Sequence, residues 1–293
     1  MGQYRRMILV GAAAAALGAC GGGGGGGGFV SSTPPPPITP TPTPTPRPAG
    51  TFVLFPAPAT SQQFAVAGAA RLTTDDPTPR LDTADQVQVR YVASSNSYQV
   101  ELPNSQTWID LAGKSEAEAT AGGVTVVKQF GGFQYSVLID WITNSSLRGV
   151  EALGIVTAAG GVPTTGSATF NALALGTTSE SGSGQLVSPF VQGPMTLNFD
   201  FAHGSLSGSI SPVLDPEWHD YDLGTFNFRD TVYSTGSPTF SGKFDTNLTG
   251  VNSFNGLFTG PAAEELIGNF AFPYKSPING QTYQAGGAFV GKK

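Results

Sequence analysis

From residue 87 onward, apolar and polar side chains alternate with period two, the signature of strands with one buried face. Val87, Val89 and Tyr91 share a face, with Gln88 and Arg90 opposite. After Ala93-Ser94-Ser95-Asn96-Ser97 the pattern resumes with Tyr98, Val100 and Leu102, so this stretch reads as a hairpin. Residues 124–129 and 133–141 form a second pair around Gly131-Gly132, and residues 153–157 a further strand. Residues 114–121, rich in Ala and Glu, are the one short helix the pattern predicts. The small, Gly-rich stretch 158–166, with Pro163, marks a boundary between subdomains.

Beyond that boundary the alternation is more regular. Leu197, Phe199 and Phe201 alternate with Thr196, Asn198 and Asp200, and Phe226 and Phe228 with Asn227 and Arg229. A Phe-x-Gly-x-Phe pattern then occurs twice, at Phe240-Ser241-Gly242-Lys243-Phe244 and at Phe254-Asn255-Gly256-Leu257-Phe258. In each, both rings and the glycine fall on one face. Such a glycine leaves room for a large neighbour and lets the strand bend, as a closing barrel requires. Further strands are expected at 167–174, 206–214, 265–272 and 286–291. Together they make about eight, enough for a small barrel filled by its own side chains. The fold class is all-β: an N-terminal handle-like sheet over 51–161, followed by a roughly eight-stranded antiparallel barrel over 162–293.

The first fifty residues follow a different logic. Arg5 and Arg6 precede an apolar run over residues 7–17, then the small residues Gly18 and Ala19, the three parts of an export signal. The run is shorter than the roughly 20 residues a membrane-spanning helix needs. The junction Leu17-Gly18-Ala19-Cys20 resembles the bacterial lipoprotein box, in which the cysteine thiol carries diacylglycerol. Cys20 is the sole cysteine of the 293 residues, so it has no internal disulfide partner. Gly21 follows it, with no acid beside it, which by resemblance to known sorting rules favours the outer membrane. Residues 21–28 are an unbroken glycine run, a flexible leash, and residues 33–48 alternate Pro with Thr as a semi-rigid polyproline spacer. Residues 1–19 therefore read as signal peptide and 20–50 as a lipid-anchored linker. The expected location is the outer membrane, with the domain surface-exposed or facing the periplasm.

Charge narrows the partners. Basic residues number 14 and acidic residues 20, for a net charge of −6; loss of Arg5 and Arg6 with the signal leaves 12 against 20, or −8. An acidic surface lacks the basic footprint that nucleic acid demands.

The residues that carry chemistry are few. His203 and His219 are the only histidines, and no Gly-x-Ser-x-Gly elbow stands in a strand-to-helix context, so the chain is expected not to be an enzyme. The densest polar and aromatic segment is Asp215-Pro216-Glu217-Trp218-His219-Asp220-Tyr221-Asp222, between two barrel strands. Trp and Tyr carry interface energy out of proportion to their number, which makes Trp218, His219 and Tyr221 the candidate binding residues. The alternatives are a solvated hairpin with Trp218 folded back on the barrel, or a metal at His219 with Asp220 or Asp222. No metal ligand pattern matches that spacing. Haem as a ligand would need His203, His219 or a tyrosine at an apolar slot; no cofactor is otherwise implied.

The C-terminal residues carry a family resemblance. Phe254-Asn255-Gly256-Leu257-Phe258-Thr259-Gly260-Pro261-Ala262-Ala263-Glu264-Glu265-Leu266-Ile267-Gly268-Asn269-Phe270 resembles the barrel signature of the transferrin-binding protein B family of surface lipoproteins. Val162-Pro163-Thr164-Thr165-Gly166-Ser167-Ala168-Thr169-Phe170 fits the entry to that barrel, and Gly286-Gly287-Ala288-Phe289-Val290-Gly291-Lys292-Lys293 its end. Ala172 stands where family members often carry glycine, and one handle-and-barrel unit is present rather than two. The resemblance implies a cell-surface lipoprotein that binds a host or environmental ligand, in iron or haem acquisition. The alternative is a structural or adhesive envelope lipoprotein with no soluble ligand. Within the signature, Gly260-Pro261 followed by Glu264 and Glu265 predicts a short helical turn between two strands.

Overall fold

The computed structural model describes residues 52–55, 60–71, 78–81, 87–103, 105–111, 118–180, 190–215 and 220–293. Among these, ten strands form the handle: β1 (Gln62–Gln63), β2 (Ala65–Arg71), β3 (Arg80–Leu81), β4 (Gln88–Val92), β5 (Ser97–Glu101), β6 (Trp108–Asp110), β7 (Glu118–Ala121), β8 (Val124–Gln129), β9 (Ser136–Thr143) and β10 (Arg148–Gly154). They make two antiparallel sheets, of order β1-β4-β5-β6 and β3-β2-β10-β9-β8-β7.

The first expected hairpin is β4–β5, with Val89 opposite Val100 and Tyr91 opposite Tyr98. Its turn is built on Asn96, whose left-handed φ of 49° is one that Asn tolerates. The second expected pair is β8–β9. The two sheets bury one apolar cluster between them, from Val89, Tyr98 and Val100 on one side to Val126, Ile139 and Trp141 on the other.

The expected helix is not found where the chain is described. Glu118–Ala121 is strand β7, with Ala119 opposite Val126 on β8. Helix propensity is a weak preference of tenths of a kcal/mol per residue, and pairing along an existing sheet edge outweighs it. Residues 112–117 lie outside the described residues.

The second half forms the barrel: β11 (Ser167–Thr178), β12 (Phe190–Asp200), β13 (Ser205–Ile210), β14 (Val213–Asp215), β15 (Tyr221–Asp222), β16 (Phe226–Val232), β17 (Thr239–Phe244), β18 (Ser253–Thr259), β19 (Glu265–Lys275) and β20 (Thr282–Lys292). The order β11-β20-β19-β18-β17-β16-β13-β12 closes through β11–β12, paired from Ser167↔Asp200 to Thr177↔Phe190. This is a closed, antiparallel, eight-stranded barrel, so the all-β expectation holds. Its axis is filled. Phe170, Phe199, Phe201, Tyr233, Phe240 and Phe258 make one tier of rings. Phe226, Phe228, Phe244, Phe254, Phe270 and Phe272 make the other.

The six-stranded handle sheet has two covered faces. Leu138, Val150 and Ala152, facing away from the handle core, pack on Leu175, Ile267, Ala288 and Val290 of the barrel wall. That explains why β10, β19 and β20 are nearly continuous buried runs rather than alternating ones. Polar groups pin the same junction. The Glu265 carboxylate accepts the amides of Gln134 and Tyr135 at 2.7 and 2.9 Å. The hydroxyls of Ser136 and Thr259 lie 2.7 Å apart, and Thr157 Oγ1 donates to the Gly260 carbonyl.

The stretch after Gly260 is a turn, not the helical turn expected. Gly260 (φ 87°) and Ala263 (φ 56°) are both left-handed, which a right-handed helix excludes. The Tyr135 ring lies where a side chain at Gly260 would stand, so only glycine fits.

Candidate ligand-facing end of the barrel

The barrel has two unlike ends. At one, short turns join β12 to β13 and β18 to β19. At the other lie the connections β11–β12 and β17–β18, the turn β19–β20 and a small wing, β14–β15. The wing arises because Pro212 cannot donate to a ladder. The chain bends there, with the Ser211 amide donating to the Pro194 carbonyl. Gly193 permits the approach, since a Cβ on it would meet the Ser211 carbonyl oxygen at 2.4 Å. β14 then pairs with the start of β12, and β15 with β14 through Leu214↔Tyr221.

The wing carries the candidate segment. Trp218 and His219 lie outside the described residues. Tyr221 is half-buried on β15 and packs against the barrel's apolar cluster beside Leu223, so part of its ring serves the fold. Asp220 and Asp222 are exposed. Asp222 Oδ1 accepts the Gly224 amide. Val251 and Ile278, on the neighbouring connections, are 56% and 46% exposed and give this end apolar ground.

A polar network holds these connections in place. Glu180 is buried where β11 gives way to its loop. Its carboxylate accepts the Tyr274 hydroxyl and the Ser276 hydroxyl, both at 2.8 Å. Thr178 Oγ1 lies 2.6 Å from the Tyr274 oxygen. Burial is the main reason the Tyr274 phenol is held far above its ordinary value, and the Glu180 charge adds to it. Next to this group the Gln284 side chain accepts from the Val251 amide and donates to its carbonyl, at 3.0 and 2.9 Å. Glu180 and Gln284 thus tie three connections to the strand ends. Sequence reasoning missed both, because a lone polar residue in an apolar strand gives no periodic signal.

His203 sits at the opposite end, 81% exposed in the β12–β13 turn. Asp200 organises that turn. Its Oδ1 accepts the amides of Ala202 and His203, and its Oδ2 lies 2.7 Å from His203 Nδ1. The His203 ring bond is the leading reason that the Asp200 carboxyl lies below its ordinary value. His203 is open to solvent, whereas an axial haem ligand sits in an apolar slot. Among the described residues no three His, Cys, Asp or Glu side chains converge on one metal position. Cys20 lies outside the described residues.

The family comparison decides the architecture. Residues 162–293 match the family described as the C-lobe and N-lobe β-barrels of Tf-binding protein B. Over these residues the chain is similar to that barrel family. Among similar solved structures is transferrin binding protein B of Haemophilus parasuis Hp5, in a mutant form, at 16% identity and TM-score 0.45, covering 78% of this chain and 45% of that one. Another is the isotype 1 protein of serogroup B Neisseria meningitidis, at 15% identity and TM-score 0.43, covering 78% and 43%. A third is the haemoglobin receptor HpuA of Kingella denitrificans, at 14% identity and TM-score 0.40, covering 79% and 86%. The chain thus spans less than half the length of the two transferrin binding proteins. Comparison with curated proteins finds no match.

Proposed function

We propose that this chain is a lipoprotein, anchored in the outer membrane through Cys20, that captures a protein ligand for iron or haem acquisition. The observation that carries the reading is the filled barrel. Its axis is packed with aromatic rings, so recognition falls to the outside, where the wing end offers loops, exposed apolar side chains and Tyr221. The similarity of residues 162–293 to the barrels of Tf-binding protein B supports a binding role. Asp220, Asp222 and Asp245 stand exposed at that end with Lys243 and Lys275, so a partner there would meet charges of both signs.

The test is surface interferometry of the exported chain against transferrin and haemoglobin, beside a haem titration read at the Soret band. Saturable binding of one protein, weakened at least tenfold by Trp218→Ala or Tyr221→Ala, supports capture at the wing. A Soret shift abolished by His219→Ala would instead make haem itself the ligand. Absence of all binding, with palmitate still incorporated at Cys20, would leave the structural or adhesive role.

A further inference from the structure

A second recessed surface lies on the barrel wall, away from the wing. The loop between β8 and β9 lays Gly131 and Phe133 beside β11 and β12, and Lys292 and Lys293 close the side. The cleft holds about 320 Å3, within the range of small-ligand sites. Its floor sets Leu173, 40% exposed, and Pro194 beside the polar Asn171 and Thr196.

The only charged side chains lining it among the described residues are Lys292 and Lys293. No acid lines it. Among the described residues neither lysine has a carboxylate within ion-pair distance, whereas Arg148, Arg229 and Lys243 each do. Glu264 and Glu265, close by, keep their charge while accepting main-chain amides. Both Glu265 oxygens take the amides of Gln134 and Tyr135, and Glu264 Oε2 takes that of Ala262.

The two ammonium groups are also held in place. Lys292 Nζ donates to the Gly132 carbonyl at 3.1 Å and lies 5.6 Å from the Phe133 ring centre. Lys293 Nζ donates to the Ala262 carbonyl at 3.4 Å and lies over Phe170 and Phe201. Burial lowers the Lys293 ammonium below its ordinary value, and the nearby Glu264 carboxylate works against that shift. The loop supplying the wall holds Phe130 at φ 42°, a conformation uncommon for a bulky residue.

We propose that this cleft binds an amphipathic organic anion, its carboxylate or phosphate head between Lys292 and Lys293 and its apolar tail over Leu173 and Phe133. Fixed point charges suit either head, since an ammonium group recognises charge rather than planar geometry. The site does not depend on the reading of the wing end.

Calorimetric titration tests it, with the exported chain carrying Cys20→Ser so that its own acyl chains do not compete. Dodecanoate and dodecyl phosphate are the probes, both below their micellar concentrations, with uncharged dodecanol as the control. Expected is saturable binding of one or both anions, none of dodecanol, and a loss of at least tenfold in K292M/K293M. Which probe binds identifies the head. Leu173→Asp, at an exposed position, should weaken binding as far while leaving the thermal midpoint near that of the parent. No heat with either anion, or parental affinity in both variants, overturns the proposal.

Discussion

Phe240 stands directly across the β17–β18 ladder from Gly256, and its ring occupies the space a side chain at 256 would need. A Cβ on Gly256 would come 2.3 Å from the ring. Two residues along, on the same face, Phe254 covers Gly242 in the same way, at 2.5 Å. The two Phe-x-Gly-x-Phe motifs therefore interlock, each supplying the ring that the other's glycine admits. Gly256→Ala is expected to destabilise the fold by about 1–3 kcal/mol through overpacking. Each kcal/mol should lower the thermal midpoint by about 2–4 °C in a domain of this size. Phe240→Leu in the same chain should recover part of that loss, and a calorimetric scan of the three variants checks both expectations.

Glu265 should prove to be the latch of the handle. It is 5% exposed, and its two oxygens satisfy two main-chain amides of the loop before β9. Glu265→Ala strands both donors at a buried junction, which costs about 1–3 kcal/mol for a buried unpaired group. The barrel keeps its ladders, so the damage should concentrate in the loop. Hydrogen exchange should quicken at Gln134 and Tyr135 while the amides of β17 and β18 hold. Unchanged exchange at these two positions would show that the apolar contact alone joins handle and barrel.

The features that could be read in advance are those with a short-range signal. Val89 and Tyr91 against Tyr98 and Val100 gave a hairpin because one face meets a core and the other does not. The doubled aromatic–glycine motif pointed to a closed barrel because bending and ring packing are both local requirements. Strands β10 and β19 blurred because covering by two layers removes alternation, so their limits came out short or shifted. Residues 118–121 went to a sheet because Val126 and Val127 offered an edge that propensity cannot foresee. At the wing, the aromatic segment stood out by composition. The Glu180, Tyr274 and Ser276 cluster did not, since its members lie 94 and 96 residues apart and meet only after the barrel closes.

Asp140 predicts a pH dependence. Burial at the handle–barrel junction raises its carboxyl above the ordinary 3.8, although Arg148, 3.3 Å away, pulls the other way. An acid with a raised folded value binds more protons folded than unfolded in the window from 3.8 up to that value. Stability therefore falls as pH rises through the window, and above it the ionised group remains a burden. Asp140→Asn should flatten that part of the curve. Urea midpoints of the two proteins between pH 3.5 and 7 should differ by an amount that changes with pH within the window. A constant offset would mean that Asp140 titrates as it does in the unfolded chain.

Glu180 and Tyr274 should be energetically coupled. The phenol donates to the carboxylate, and a second oxygen of that carboxylate takes the Ser276 hydroxyl, all out of contact with water. Removing the acid leaves the Ser276 hydroxyl without its acceptor and the Tyr274 hydroxyl with Thr178 alone. Removing only the phenol oxygen leaves the carboxylate one donor. Each single variant, Glu180→Ala or Tyr274→Phe, should therefore cost about 1–3 kcal/mol. The double variant should cost less than the two together, by about 0.5–3 kcal/mol, because the same bond cannot be lost twice. The coupling should also be visible at the wing end, since Ser276 opens the β19–β20 turn and its carbonyl accepts the Gly280 amide. Hydrogen exchange at Ile278 and Gly280 should rise in Glu180→Ala and rise less in Tyr274→Phe, which keeps the Ser276 bond. Strict additivity of the two substitutions in denaturant melts would show instead that Glu180 is held by the strand end alone.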